Sequence, residues 1–240
     1  MRLESGFTRD GVVAELIESA RRDASLVVGL DFGFSLPSWF LDELGVQGAR
    51  ELWELVARDG ERWLSTCPEP FWGKPLRKRP PFGAGRSGFR STESELPAVA
   101  GIGPKSIFQV GGAGAVGTGS LRGMPFLAKL QDAGFAIWPF DPARLPLVVE
   151  IYPRYLTGKV DKSSYVARAL YLQARLGGQP REFLERASSC EDAFDAAVSA
   201  ACMQRFARDF ARLARRPSTR TDLLEGRIWT PLRDPLFERA

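Results

Sequence analysis

The chain has 240 residues, 44% of them hydrophobic, a formal net charge of +4 and no histidine. The missing histidine excludes every His-dependent triad and every His-ligated metal centre, so chemistry must rest on carboxylates, Lys, Arg, Tyr, Ser or Cys. No apolar run is long enough to span a bilayer, no signal-peptide pattern opens the chain, and Cys67, Cys190 and Cys202 form no C-x-x-C pair, so a single cytoplasmic domain over residues 1–240 is expected.

In chain order, Thr8 is placed to cap a helix reaching about Arg22, with Val12, Val13, Leu16 and Ile17 on one face. Leu26–Leu30 reads as a buried, parallel strand. It ends in Asp31, followed at once by a Gly, aromatic and Pro stretch. An acid there serves as a turn residue, as a cap for the next helix, or as a metal ligand held at a strand end. Helix is expected from Ser38 to about Leu64, broken near Gly45–Gly48.

Residues from about 68 to 103 are rich in Pro, Gly and Arg and lack periodicity, which marks a long loop or insertion. Between Phe71 and Arg90 stand Lys74, Arg77, Lys78, Arg79, Arg86 and Arg90 with no acid, interleaved with Phe71, Trp72, Phe82 and Phe89. Cations for phosphates and aromatics for bases fit a nucleic-acid arm; a solvated loop explains the same residues. Ile107–Val110 is a short strand candidate before "GGAGAVGTGS". That loop fits G-x-G-x-x-G only weakly, no G-K-[ST] follows, and a flexible turn is the preferred reading over phosphate binding.

A short helix over about Met124–Ala133, a strand over Phe135–Phe140 and a clearer strand over Leu145–Pro153 follow, with Glu150 near the end of the last. Ser163 or Ser164 caps an amphipathic helix that stops at Gly177-Gly178. A longer helix runs from about Cys190 to Ala214; its last part turns arginines to one side and Phe206, Phe210 and Leu213 to the other. "RIWTP", Arg227–Pro231, adds a late strand.

Strands alternating with helices define an α/β fold with a mainly parallel sheet, and in such sheets ligands sit beyond the carboxyl ends of the strands. Asp31 and Glu150 both stand at that end. Asp192 and Asp195 are three apart and share a helix face. Asp192 also completes Ser189-x-x-Asp192, a capping-box pattern, and Glu150 has Arg154 nearby as a pairing partner, so structural roles stand beside the metal-binding one. Carboxylates brought together repel unless a cation lies between them, and such clusters hold the Mg²⁺ ions of nucleases.

The segments "VGLDFGFSLP", "PKSIFQVGGAGAVGTGSLRG", "WPF", "VVEIYP", "EDAFDAAVSA" and "EGRIWTP", in this order, resemble the domain-of-unknown-function family 429, grouped with predicted nucleases of the ribonuclease H-like fold. The resemblance runs from about residue 6 to residue 231. It implies a mixed sheet flanked by helices, with Asp31, Glu150 and Asp195 as Mg²⁺ or Mn²⁺ ligands and Asp192 as their helper. It also implies that Lys105, lying with Ser106 and Gln109 under the Gly loop, and Arg77, Lys78 and Arg79 meet substrate phosphates. Only seven residues precede Thr8, which leaves no room for the strands that open such domains, so an exposed sheet edge is expected. A partner, or a second copy of the chain, is expected to cover it. The function expected is divalent-metal-dependent cleavage of nucleic-acid phosphodiesters; the alternative is a non-catalytic member that binds nucleic acid or protein.

Overall fold

A computed structural model of the chain describes residues 1–231. Helix α1 (Arg9–Arg22) starts where the Thr8 hydroxyl accepts from the Gly11 N–H at 3.1 Å, as the sequence predicts. Strand β1 (Val27–Leu30) follows, then α2 (Ser38–Leu44) and α3 (Ala49–Thr66), separated by Gly45 in the left-handed region. Next come α4 (Ser91–Glu95), α5 (Gly117–Asp132), β2 (Ala136–Ile137), β3 (Leu147–Glu150) and α6 (Pro153–Thr157). Helices α7 (Tyr165–Leu176), α8 (Arg181–Ser188), α9 (Glu191–Arg205), α10 (Ala207–Leu213) and α11 (Arg220–Glu225) complete the order.

The chain is α/β. Among the described residues its sheet has three strands, all parallel, in the order β1-β3-β2, with Leu30 opposite Glu150. The parallel pairing agrees with the reading of the residues, whereas the mixed sheet that the resemblance implies is not seen among the described residues, and two strand candidates are corrected. Ile107–Val110 makes a single bridge, Gln109 to Trp72, because the backbone turns there, the Gln109 N–H reaching the Ser106 carbonyl at 3.0 Å. The "RIWTP" segment likewise adds one bridge, Ile228 to Glu150. Helix α5 begins seven residues before Met124, since Gly117 lets it start against the Ile107 carbonyl, 2.1 Å from where a Cβ would stand. The long helix expected from Cys190 is two helices, broken at Phe206, which turns Phe210 onto Trp229 with ring centroids 4.6 Å apart.

Two cores sandwich the sheet. On one face, Val28, Ile137 and Val148 pack with α1, α3 and α5. That core continues into an aromatic cluster of Phe40, Trp63, Phe71 and Phe108. On the other face, Leu147, Val149 and Ile151 pack with Cys202, Met203, Phe210 and Trp229. No helix among the described residues is long and apolar enough to cross a membrane.

Candidate active site

Parallel pairing of Leu30 with Glu150 brings two strand ends to one rim of the sheet. Asp31 follows directly. Its outer side is exposed, but it lines a recess of about 50 Å³ with Arg90, Glu93, Lys105, Glu150 and Tyr152. Its carboxyl is pushed up to about 7 by loss of water and then by the negative charges of Asp195, Glu150 and Asp192, against the pull of Lys162. The four acids singled out in the sequence thus share one electrostatic neighbourhood.

They are not equivalent in it. Asp195 accepts from Lys162 Nζ at 2.5 Å through Oδ2, while its Oδ1 is buried with no hydrogen-bond partner. Burial pushes the Asp195 carboxyl up and Lys162 pulls it back. Asp192 is exposed. The capping box expected at Ser189 does not form: Cys190 is the N-cap of α9, its sulfur accepting from the Ala193 N–H at 3.4 Å. Tyr152 projects toward the same rim; its hydroxyl donates to the Gly103 carbonyl at 3.1 Å and is held above its ordinary pKa by lost water, with Asp31 and Asp195 adding to the effect.

Glu150 is corrected. It is expected as an open metal ligand, but both its oxygens are taken. Arg90 donates to Oε1 at 2.5 Å and to Oε2 at 2.9 Å, and the Phe34 N–H donates to Oε2 at 2.9 Å. Arg90 is corrected with it. Rather than meeting phosphate it is 1% exposed, bound to Glu93, Glu150 and the Glu225 carbonyl. Burial would lower its pKa, but Glu150 and Glu93 outweigh that and hold it charged. Glu225 completes the knot by capping two helices, accepting from the Ser38 N–H at 2.7 Å and the Ser91 N–H at 2.6 Å.

The loop from 71 to 90 is not an exposed stacking arm. Phe71 and Trp72 are buried, and Phe82 packs on Trp39, Trp72 and Phe108. The Arg79 guanidinium lies over Trp72, Phe82 and Phe89, 5.5 to 5.8 Å from each ring centre, so it supports this loop. Lys74, Arg77 and Lys78 remain exposed. Lys105 is exposed at the edge of the recess; the Gly loop lies alongside, Gly114 against the Lys105 side chain. Gln109 Nε2 ties that loop down through the Gly111 and Ala113 carbonyls.

Sequence reasoning missed Lys162, Glu93 and Glu225. Tyr152 stands two residues after Glu150 in "VVEIYP" and was findable by its place; Lys162 carries no local signal. Among the described residues no three Asp, Glu, Cys or His side chains are grouped as a metal site. No family model matches the chain, and neither a curated protein nor a solved structure is significantly similar to it.

Proposed function

We propose that the rim around Asp31 binds a divalent cation together with a phosphodiester of nucleic acid and promotes its hydrolysis. One observation carries this reading: a carboxylate with no hydrogen bond or ion pair among the described residues, Asp31, stands at a rim where lost water and then the charges of Asp195, Glu150 and Asp192 push its pKa up to about 7, against the pull of Lys162. Carboxylate oxygens are the donor chemistry that suits Mg²⁺ or Mn²⁺. Asp31 has no hydrogen bond or ion pair among the described residues, Asp195 Oδ1 is unpartnered, and Mg²⁺ is commonly held by one or two carboxylates with water and substrate phosphate filling its shell. When bound, the cation supplies Lewis-acid polarisation of the phosphate. In this reading Asp31 and Asp195 are its ligands and Asp192 adds negative charge from solvent. Lys105 pairs a phosphate oxygen at the recess mouth, and Tyr152 walls the recess. Glu150 is a positioning residue, fixing the strand end through Arg90.

A second reading rests on Lys162. Its ammonium already neutralises Asp195. With Glu150 neutralised by Arg90, the rim then serves binding of nucleic acid or protein without cleavage.

The experiment is cleavage of a labelled oligonucleotide, as DNA and as RNA, with Mn²⁺ present or chelated. Cleavage that needs Mn²⁺ and disappears in Asp31→Asn and Asp195→Asn, both still folded by circular dichroism, supports the first reading. Binding without cleavage supports the second, and activity untouched by both substitutions removes the site from this rim.

A further inference from the structure

The sheet ends abruptly at β1. The Leu147 N–H bonds to the Leu26 carbonyl and the Ile151 N–H to the Leu30 carbonyl, so Leu26, Val28 and Leu30 turn their backbone groups toward β3. Val27, Gly29 and Asp31 turn theirs outward, and among the described residues nothing bonds to them. The edge is only four residues long, but no lysine, proline or bulge interrupts Val27–Leu30.

Both faces beside this edge are hollow. Toward α1 and α5, a cavity of about 280 Å³ is lined by Val12, Val13, Leu16, Leu30, Phe126 and Leu130. On the opposite face, a cavity of about 320 Å³ is lined by Val27, Leu145, Leu147, Phe210, Ala211 and Ala214. Both walls are mainly apolar; Asp31 borders the first at the end of the strand and Ser25 the second. One arginine borders each: Arg9 on the first, Arg144 on the second. Neither is ion-paired among the described residues.

We infer that β1 accepts an extended, aliphatic strand from a separate polypeptide, which pairs with Val27–Asp31 and sends alternate side chains into the two cavities, its acidic flanks meeting Arg9 and Arg144. This goes beyond the metal-site reading and does not depend on it. Side chains of a strand alternate between faces, so an added strand places one set in each cavity, and both sets must be apolar. Outward N–H and C=O groups supply the pairing, as in recognition by strand addition. A second copy offering its own β1 does not fill these cavities, because its Val28 is already 7% exposed inside its own core.

The test uses the whole chain and a fluorescent peptide of sequence Glu-Val-Ile-Val-Ile-Val-Glu with blocked ends. Saturable binding is expected, lost when the five central amides are N-methylated. Val12→Glu and Ala211→Glu each place a charge in one cavity from an exposed position, and each is expected to weaken binding at least tenfold while circular dichroism stays unchanged. Equal binding of the N-methylated peptide, indifference to both substitutions, or no binding overturns the proposal. So does a dimer in light scattering that Val12→Glu dissociates, which assigns the edge to a second copy.

Discussion

Arg90 grips both carboxylate oxygens of Glu150, at 2.5 and 2.9 Å, where the two side chains are 1% and 3% exposed. A residue from the basic loop is thereby fastened to the end of the central strand. Removing one partner leaves the other charge buried and uncompensated, a loss of about 3–5 kcal/mol. Arg90→Ala is expected to lower the free energy of unfolding by that amount. Arg50→Ala, which breaks the exposed pair with Asp132, is expected to cost roughly 0–1 kcal/mol. Equal costs in urea titrations refute the structural role given to Arg90.

Asp31 makes stability depend on pH in the direction opposite to an ordinary salt-bridged acid. Its carboxyl is raised from 3.8 to about 7 in the folded chain, so between these values the folded state holds a proton that the unfolded state has released. Its contribution is complete below the unfolded value, declines as pH rises, and is gone above about 7. Relative to wild type, Asp31→Asn is expected to gain stability steadily from pH 4 to 7 and no further above it. Urea midpoints across that range check this; a constant difference between the two proteins contradicts it.

Lys162 competes for Asp195 with any cation. Lys162→Ala frees the Asp195 carboxylate, so Mn²⁺ affinity measured by calorimetry is expected to rise several-fold if the rim is a metal site. In Lys162→Ala combined with Asp31→Asn the gain disappears. If calorimetry detects no Mn²⁺ in any of these proteins, the binding reading replaces the catalytic one.

Gly73 and Gly111 cross with their backbones touching. A Cβ on Gly111 stands 2.3 Å from the Gly73 carbonyl oxygen, and Gly73 itself has φ of +101°. Backbone cannot step aside as a side chain does. Gly111→Ala is expected to destabilise by more than about 2 kcal/mol, within the range of overpacking losses. An unchanged melting temperature contradicts that packing.

Arg77, Lys78 and Arg79 are all exposed, but only Arg79 lies over aromatic rings, and experiment separates the two roles. Arg77→Ala with Lys78→Ala is expected to leave the melting temperature unchanged and, if the loop meets phosphates, to reduce the salt slope of nucleic-acid binding by about 2. Arg79→Ala is expected to lower stability by about 1 kcal/mol through lost contact with Trp72, Phe82 and Phe89. Reversal of these two outcomes places Arg79, rather than its neighbours, at the interface.

Local signals in the sequence determined much of the scaffold. Thr8 and Ser164 cap the helices expected of them, Gly45 stops α2, and the apolar runs ending at Leu30 and Glu150 are parallel strands. Each depends on neighbours within a turn or on a hydrophobic period, so it is written locally. That Asp31 and Glu150 stand at one rim was legible too, because parallel strands put their carboxyl ends on the same side of the sheet.

Only the tertiary structure decided which charges are free. Nothing local distinguishes Arg90 from Arg77, or Glu150 from Asp31. Arg90 and Glu150 are 60 positions apart and Glu225 lies another 75 beyond, yet they meet in one buried knot. Pairing inside a protein is set by what the folded chain brings within hydrogen-bond reach, and by the high cost of leaving a buried charge alone. The same holds for the aromatics of the basic loop, whose burial follows from the cluster they complete around Phe108, and for the open edge of β1, which exists only once the strand order is known.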